Sequence, residues 1–178
     1  MKKHDARLSR FLAAFVCGTG LGAGLCFCLK SSFSLQAGAG WLALFCAAAG
    51  AVFAGLMLLP RFWPYLVCAL LAAGGLALFW DEIAPSAIST AAAVYAFYCG
   101  VFPKLPEAAA APEGPATAAL ACVGAWFAFL SALVVCRRKS ALWAIAPAAP
   151  VLVLCLVILE TPPAPWSAVL VVFCIALL

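Results

Sequence analysis

Apolar runs about as long as a bilayer is thick are the feature that most constrains this chain. A hydrocarbon core about 30 Å thick is crossed by roughly 20 apolar residues of α-helix. Only 9% of the 178 residues are charged and 69% are hydrophobic, far from the balance of a water-soluble domain. The sequence therefore predicts an all-α, polytopic transmembrane helix bundle. The predicted spans cover residues 11–29, 41–59, 62–80, 118–136 and 141–159, and a shorter sixth run covers 167–178.

The sixth run differs from the others in length. Its 12 residues follow Trp166 and reach Leu178 without a charge or a polar turn. At about 1.5 Å of rise per residue, such a helix is about 18 Å long and cannot cross a bilayer alone. We therefore expect the last span to be incomplete and the chain to be truncated within it.

Residues 81–102 fit two arrangements. Asp81 and Glu82 suit the positive end of a helix, and Pro85 suits its first turn, so a helix is predicted. The segment is long enough to cross, but its hydroxyl groups and many alanines make insertion weakly favourable. It either crosses the bilayer or lies on the outer face as an interfacial helix.

Positive charge favours the interfacial arrangement. Cytoplasmic loops of membrane proteins collect Lys and Arg, and the tail MKKHDARLSR carries four of them, which predicts a cytoplasmic N-terminus. If residues 83–102 do not cross, eight of the ten basic residues lie inside, and if they cross, six do. The residues that decide between the two are the topology determinants Arg137, Arg138 and Lys139.

The predicted organisation follows from that choice of topology. It comprises a basic cytoplasmic tail (1–10), a three-span membrane half (11–80), an outer-face helix with a Pro/Ala loop (81–117), and a second membrane half (118–178) truncated in its last span. Tryptophans at the ends of the runs suit the membrane interface. Trp126 lies inside a run and is predicted to face another helix, and Pro147 and Pro150 are predicted to bend or break theirs.

Four glycines in the first run are the candidate helix-packing residues. Gly18 and Gly22, and likewise Gly20 and Gly24, are four residues apart, a spacing that lets another helix approach closely. The partner is either another span of this chain, which we favour, or a second subunit. The GxGxxA pattern that begins at Gly18 lacks the preceding strand and following acidic residue of a dinucleotide site.

No catalytic, cofactor-binding or metal-binding site is predicted. The ten cysteines lie in apolar runs without metal-ligand spacing and are interpreted as small apolar residues. His4, the only histidine, belongs to the charged tail, and Asp81 and Glu82 are neighbours on a helix rather than a facing pair. No ionisable residue interrupts a span, which argues against proton or ion coupling. Nucleic-acid binding is not predicted either, because the sequence has no basic face with interleaved aromatic residues.

The stretch from Val134 to Leu178 resembles the membrane region of bacterial transglutaminase-like membrane proteins. The shared features are a basic turn, a proline-containing span, the turn at Thr161, Pro162 and Pro163, and a Leu-rich span. The segment LFWDEIAPSAISTAAAVYAFYCGVF is similar to the outer-face helix of those proteins. The resemblance implies a multi-pass protein of the bacterial cytoplasmic membrane.

The same resemblance implies that a papain-like Cys-His-Asp domain lies beyond residue 178, because none of its catalytic positions is present in this sequence. We therefore expect the membrane-anchoring N-terminal region of a cell-envelope transglutaminase- or protease-like protein. Its partners would be the lipid bilayer and, in the same chain, the downstream soluble domain. The alternatives are a stand-alone transporter or channel subunit and a membrane assembly protein that binds other membrane proteins.

Overall fold

The structure, a computed structural model, describes residues 2–59, 62–101, 114–138, 140–157 and 164–178. Within these ranges the chain forms α-helices and no β-strand, as the sequence predicts. The helices are α1 (Lys2–Ser32), α2 (Ala39–Met57), α3 (Trp63–Leu78), α4 (Trp80–Val101), α5 (Thr117–Leu133), α6 (Leu142–Val157) and α7 (Pro165–Leu177). A π-helical turn, Val134–Arg138, continues α5.

The helices differ in their capacity to cross a membrane. Three stretches are long and apolar enough by themselves, namely Arg7–Ser32, Ala39–Met57 and Thr117–Arg137. Helices α3 and α4 meet the combined requirements of length and hydropathy only as a pair, and they are bent by 85° at the break between them. Helices α6 and α7 are shorter apolar helices. By length and composition, the described residues thus contain three candidate spans, or four if the bent pair crosses as one, and the six predicted crossings stay a prediction.

The predicted basic tail belongs to the first helix. Helix α1 begins at Lys2 and has 31 residues, which gives it a length of about 46 Å. Lys, Arg, Ala and Leu are all good helix formers, so residues 2–10 extend the apolar helix without a break. The side chain of His4, predicted to be solvated, lies outside the described residues.

Helix α1 forms the centre of the bundle. It packs against α2, α5, α6 and α7, and α5 also packs against α2. The largest cluster of buried side chains includes Leu21 and Leu25 of α1, Phe127 of α5 and Val171 of α7. A second cluster joins α1, α2 and α5, and a third lies around Ala14.

Two local predictions on α5 and α6 differ from the structure. Trp126 was expected to face another helix but is 56% exposed, and its ring lies against Phe129 of the same helix, with centroids 6.0 Å apart. A large amphipathic ring on the outer face of a bundle is compatible with lipid. Helix α6 runs through Pro147 and Pro150 without the predicted break, since apolar helices in membranes tolerate interior prolines. The alternative, a bend at these prolines, stays a prediction.

The ends of the helices gather in two groups. At one end, here called the capped end, the Ala116 N–H at the start of α5 donates to the Gln36 carbonyl 2.9 Å away, in the turn after α1. The other end, called the basic end, contains Arg7, Arg10 and Arg137. There the Arg137 guanidinium donates to the Leu59 carbonyl, 2.5 Å away, beyond the end of α2.

Candidate functional site

The predicted glycine pairs lie on α1 at its closest contacts with other helices. Gly18 and Gly22 face α5. A methyl carbon placed on Gly22 would lie 2.7 Å from the carbonyl oxygen of Gly124, and one on Gly18 would lie 3.3 Å from that of Ala128. Both distances are shorter than ordinary van der Waals contact. The backbones of α1 and α5 therefore touch where the sequence has no side chain.

Gly20 and Gly24 face a different helix. A methyl carbon on Gly24 would lie 2.6 Å from a side-chain methyl of Val171, and one on Gly20 would overlap the Cys174 sulfur atom. Both neighbours belong to α7. The two interleaved pairs thus serve two interfaces, because residues two apart on a helix point in directions about 200° apart. The structure brings α5 and α7 to opposite sides of α1.

Two further glycines of this packed region were not singled out from the sequence. Gly50 of α2 lies against Thr19, whose hydroxyl oxygen would overlap an added methyl group. Gly124 of α5 lies against the sulfur atoms of Cys46 and Cys26, 2.7 and 3.1 Å from an added methyl. The sequence does contain a pattern that indicates these close contacts, because small residues recur every four positions on both helices. These residues are Cys46, Gly50 and Ala54 on α2, and Gly124, Ala128 and Ala132 on α5.

Thiols and hydroxyls fill the space between these backbones. The Cys26 thiol donates to the Leu120 carbonyl at 3.0 Å, and the Cys28 thiol donates to the Ser167 hydroxyl at 3.3 Å. The Ser167 hydroxyl in turn donates to the Ala164 carbonyl at 2.7 Å. All three donor side chains are buried, so each polar atom has a partner within the bundle.

Hydroxyl groups from other elements cap helices at the capped end. Neither α5 nor α7 has a side-chain hydrogen bond from its own N-cap residue, Ala116 or Ala164. Instead the Ala119 N–H in the first turn of α5 donates to the Ser86 hydroxyl of α4 at 3.0 Å. The Ala164 N–H donates to the Ser31 hydroxyl of α1 at 3.2 Å. Helix α4 therefore contacts the start of α5 through a specific polar bond.

The topology determinants are only partly described. Arg137 lies in the π-helical turn after α5, and its charge and that of Arg10 both lie near the Cys136 thiol. The N-terminal basic residues and the basic turn are therefore at the same end of the bundle. The backbone of Arg138 belongs to the same turn, but its side chain and the whole of Lys139 lie outside the described residues.

The site described above consists of close helix contacts and of hydrogen bonds between helices. In the part of the chain that the structure describes, no group of three or more His, Cys, Asp or Glu residues is placed to hold a metal ion. The GxGxxA pattern lies in the middle of α1, where no strand precedes it. Asp81 and Glu82 lie in the first turn of α4, where acidic residues complement the helix dipole.

Comparisons with family models, curated proteins and solved structures found no match.

Proposed function

We propose that this chain is a membrane-anchoring helical module of the bacterial cell envelope. The observation that carries the proposal is the outward face of the bundle, which exposes large apolar side chains on every helix. Examples are Leu12, Phe45, Leu70, Trp126 and Val169, each more than 40% exposed. A soluble monomer rarely exposes apolar patches of this extent, whereas lipid tails solvate them.

We propose that α1, α2, α3, α5 and α6 each cross the membrane and that α7, about 20 Å long, forms part of a sixth crossing. Helix α4 lies across the outer face. The 85° bend between α3 and α4 supports this arrangement, because a helix perpendicular to a crossing helix lies in the membrane plane. The bond from Ala119 to Ser86 also places α4 against the start of α5, at the end of the bundle remote from Arg137. The same topology puts the basic end in the cytoplasm.

Reporter fusions test this topology. A reporter fused after Gly114 is expected to report the outer face, and one fused after Lys139 the cytoplasm. The reverse result at both positions would mean that α4 crosses and that the charge argument is wrong. A fusion after Gly38, in the turn between α1 and α2, serves as the control because both topologies place it outside.

The enzyme class of the anchored protein is a finer proposal. We propose that the module anchors a transglutaminase-like domain, and its support is the resemblance of residues 134–178 to the membrane region of that family. Reading the coding DNA past codon 178 tests this directly. A continuing frame that completes a further span and encodes a soluble domain with Cys, His and Asp supports the proposal. A stop codon at that position would remove the enzyme part and leave the anchor.

A further inference from the structure

A cavity of about 420 Å³ opens at the capped end of the bundle. It lies between the last turn of α1, the turn that follows it, and the start of α7. Its lining includes Lys30, Ser31 and Ser34 and the aromatic residues Phe27 and Trp166. This volume exceeds the roughly 30 Å³ share of a water molecule many times, so it has room for a small polar group.

Lys30 gives the cavity a positive charge. Its ammonium donates one hydrogen bond, to the Ala37 carbonyl at 2.6 Å. A lysine ammonium has three N–H donors, so two further directions are available to a ligand. None of the described residues that line the cavity is acidic. The cavity therefore favours an anion.

The start of α7 adds to this preference. The first residue of α7 is Pro165, and the positive end of the helix dipole lies at this wall of the cavity. The Ser34 side chain also lines the cavity, is exposed, and carries a hydroxyl group, which is able to donate one hydrogen bond. The ammonium and the hydroxyl match the acceptor oxygens of a phosphate group. The start of α7 contributes only its helix dipole, because the Ala164 N–H already donates to Ser31 and Pro165 has no N–H.

Two aromatic rings place the cavity at the level of lipid headgroups. The rings of Phe27 and Trp166 lie 5.1 Å apart and are inclined by 58°. Trp166 is 55% exposed, and tryptophans at the ends of membrane helices prefer the boundary between headgroups and hydrocarbon. A lipid bound here would place its phosphate beside Lys30 and its chains along the apolar surface of α1 and α7.

We propose that this cavity binds the phosphate group of an anionic phospholipid, with Lys30 as its main ligand. The test is native mass spectrometry of the purified chain in detergent, with phosphatidylglycerol titrated in. Lys30→Gln keeps a hydrogen-bond donor but removes the charge, and we expect it to weaken binding by roughly tenfold. Arg10→Gln removes a charge at the other end of the bundle and is the matched control, expected to leave binding at this site unchanged.

A second pair of variants separates binding from folding. Ser34 has a φ of 49°, a conformation that Asn and Asp both adopt more readily than other non-glycine residues. Ser34→Asp would place a carboxylate in the lining of the same cavity as Lys30 and repel phosphate, whereas Ser34→Asn has nearly the same shape without the charge. We expect Ser34→Asp to lose binding and Ser34→Asn to retain it. Equal binding by the two variants contradicts the proposal.

The source of the phosphate is distinguished by a second titration, with glycerol 3-phosphate. Binding of phosphatidylglycerol alone, weakened to the expected degree in Lys30→Gln, supports a lipid headgroup site. Binding of glycerol 3-phosphate with the same weakening supports the phosphate site with a soluble ligand. Binding of either probe at wild-type strength by Lys30→Gln would overturn the proposal, as would no binding by the wild-type chain.

Discussion

Single glycines determine how closely the backbones in this bundle approach. The contrast between Gly22 and Gly74 shows the effect most clearly. An added methyl group on Gly22 would meet a backbone carbonyl of α5, which cannot rotate away as a side chain does. An added methyl group on Gly74 of α3 would have nothing within 4 Å. The same substitution is therefore costly at one position and free of steric cost at the other.

Gly22→Ala is expected to destabilise the bundle, with Gly74→Ala as the matched control. Forcing a methyl group into this contact costs roughly 1–3 kcal/mol in well-packed cores. Gly74→Ala has no such clash and gains up to about 1 kcal/mol, because alanine is the better helix former. The measurement is the free energy of unfolding in mixed micelles under sodium dodecyl sulfate titration. Equal changes for the two variants would show that α1 and α5 are not in backbone contact.

At the residue scale the sequence identifies small residues but not their partners. The spacing of Gly18 and Gly22 predicts that another helix approaches one side of α1 closely. The sequences of α5 and α7 are similarly apolar, so the pattern does not indicate which of the two it is. Which helix each pair meets depends on the three-dimensional arrangement of the bundle. Trp126 illustrates the same limit, since an aromatic residue within a span can face either protein or lipid.

At the scale of whole elements, hydroxyls on one helix satisfy the free N–H groups of another. The start of α5 is capped by Ser86 of α4, and the N-cap of α7 by Ser31 of α1. Unpaired backbone groups cost several kcal/mol in the hydrocarbon region, so such bonds are worth more near a membrane than in water. The Ser86 bond thus holds α4 against α5, whereas most side chains of α3, the helix before it, are exposed.

Ser86→Ala is expected to weaken the attachment of α4 to α5. Loss of a helix N-cap costs about 1 kcal/mol in soluble proteins, and we expect a loss of that size or somewhat larger here. Ser89→Ala is the matched control. The Ser89 hydroxyl donates to the backbone carbonyl of Ser86, 3.0 Å away in its own helix, and does not bond to the start of α5. Hydrogen exchange of the Ala119 amide, followed by mass spectrometry, measures the effect. Faster exchange in both variants to the same degree would contradict the capping role of Ser86.

The existence and type of these elements follow from hydrophobic run length, whereas their capping and angles do not. Each predicted run corresponds to a helix, because a long apolar run favours a helix in a membrane. The bounds agree within a few residues except at α1, which begins nine residues before the predicted run. The 85° angle between α3 and α4 and the Ser86 bond arise from tertiary contacts, for which the local sequence has no signal. Ser86 itself looks like any serine in a polar stretch.

At the scale of the whole molecule, charge is distributed unequally between the two ends. Arg7, Arg10 and Arg137 lie at the basic end, and Lys30 lies at the capped end. The sequence alone predicts this asymmetry, since it needs only the order of spans and charges. The number of crossings does not follow from the sequence as easily. Helices α6 and α7 have 16 and 13 residues and are therefore about 24 and 20 Å long, which is shorter than a typical bilayer core.

Neutralising the basic turn is expected to disturb the orientation of the second half of the bundle. In the proposed topology Arg137, Arg138 and Lys139 hold the α5–α6 connection in the cytoplasm, since loops rich in Lys and Arg resist translocation. A chain with all three changed to Gln should give a mixed population when a reporter follows Ser140, with part of it now outside. Lys30→Gln removes a positive charge from the opposite side and is expected to leave that reporter in the cytoplasm. A reporter that stays fully cytoplasmic in the triple variant would mean that packing on α1, through Gly18 and Gly22, orients α5 without help from charge.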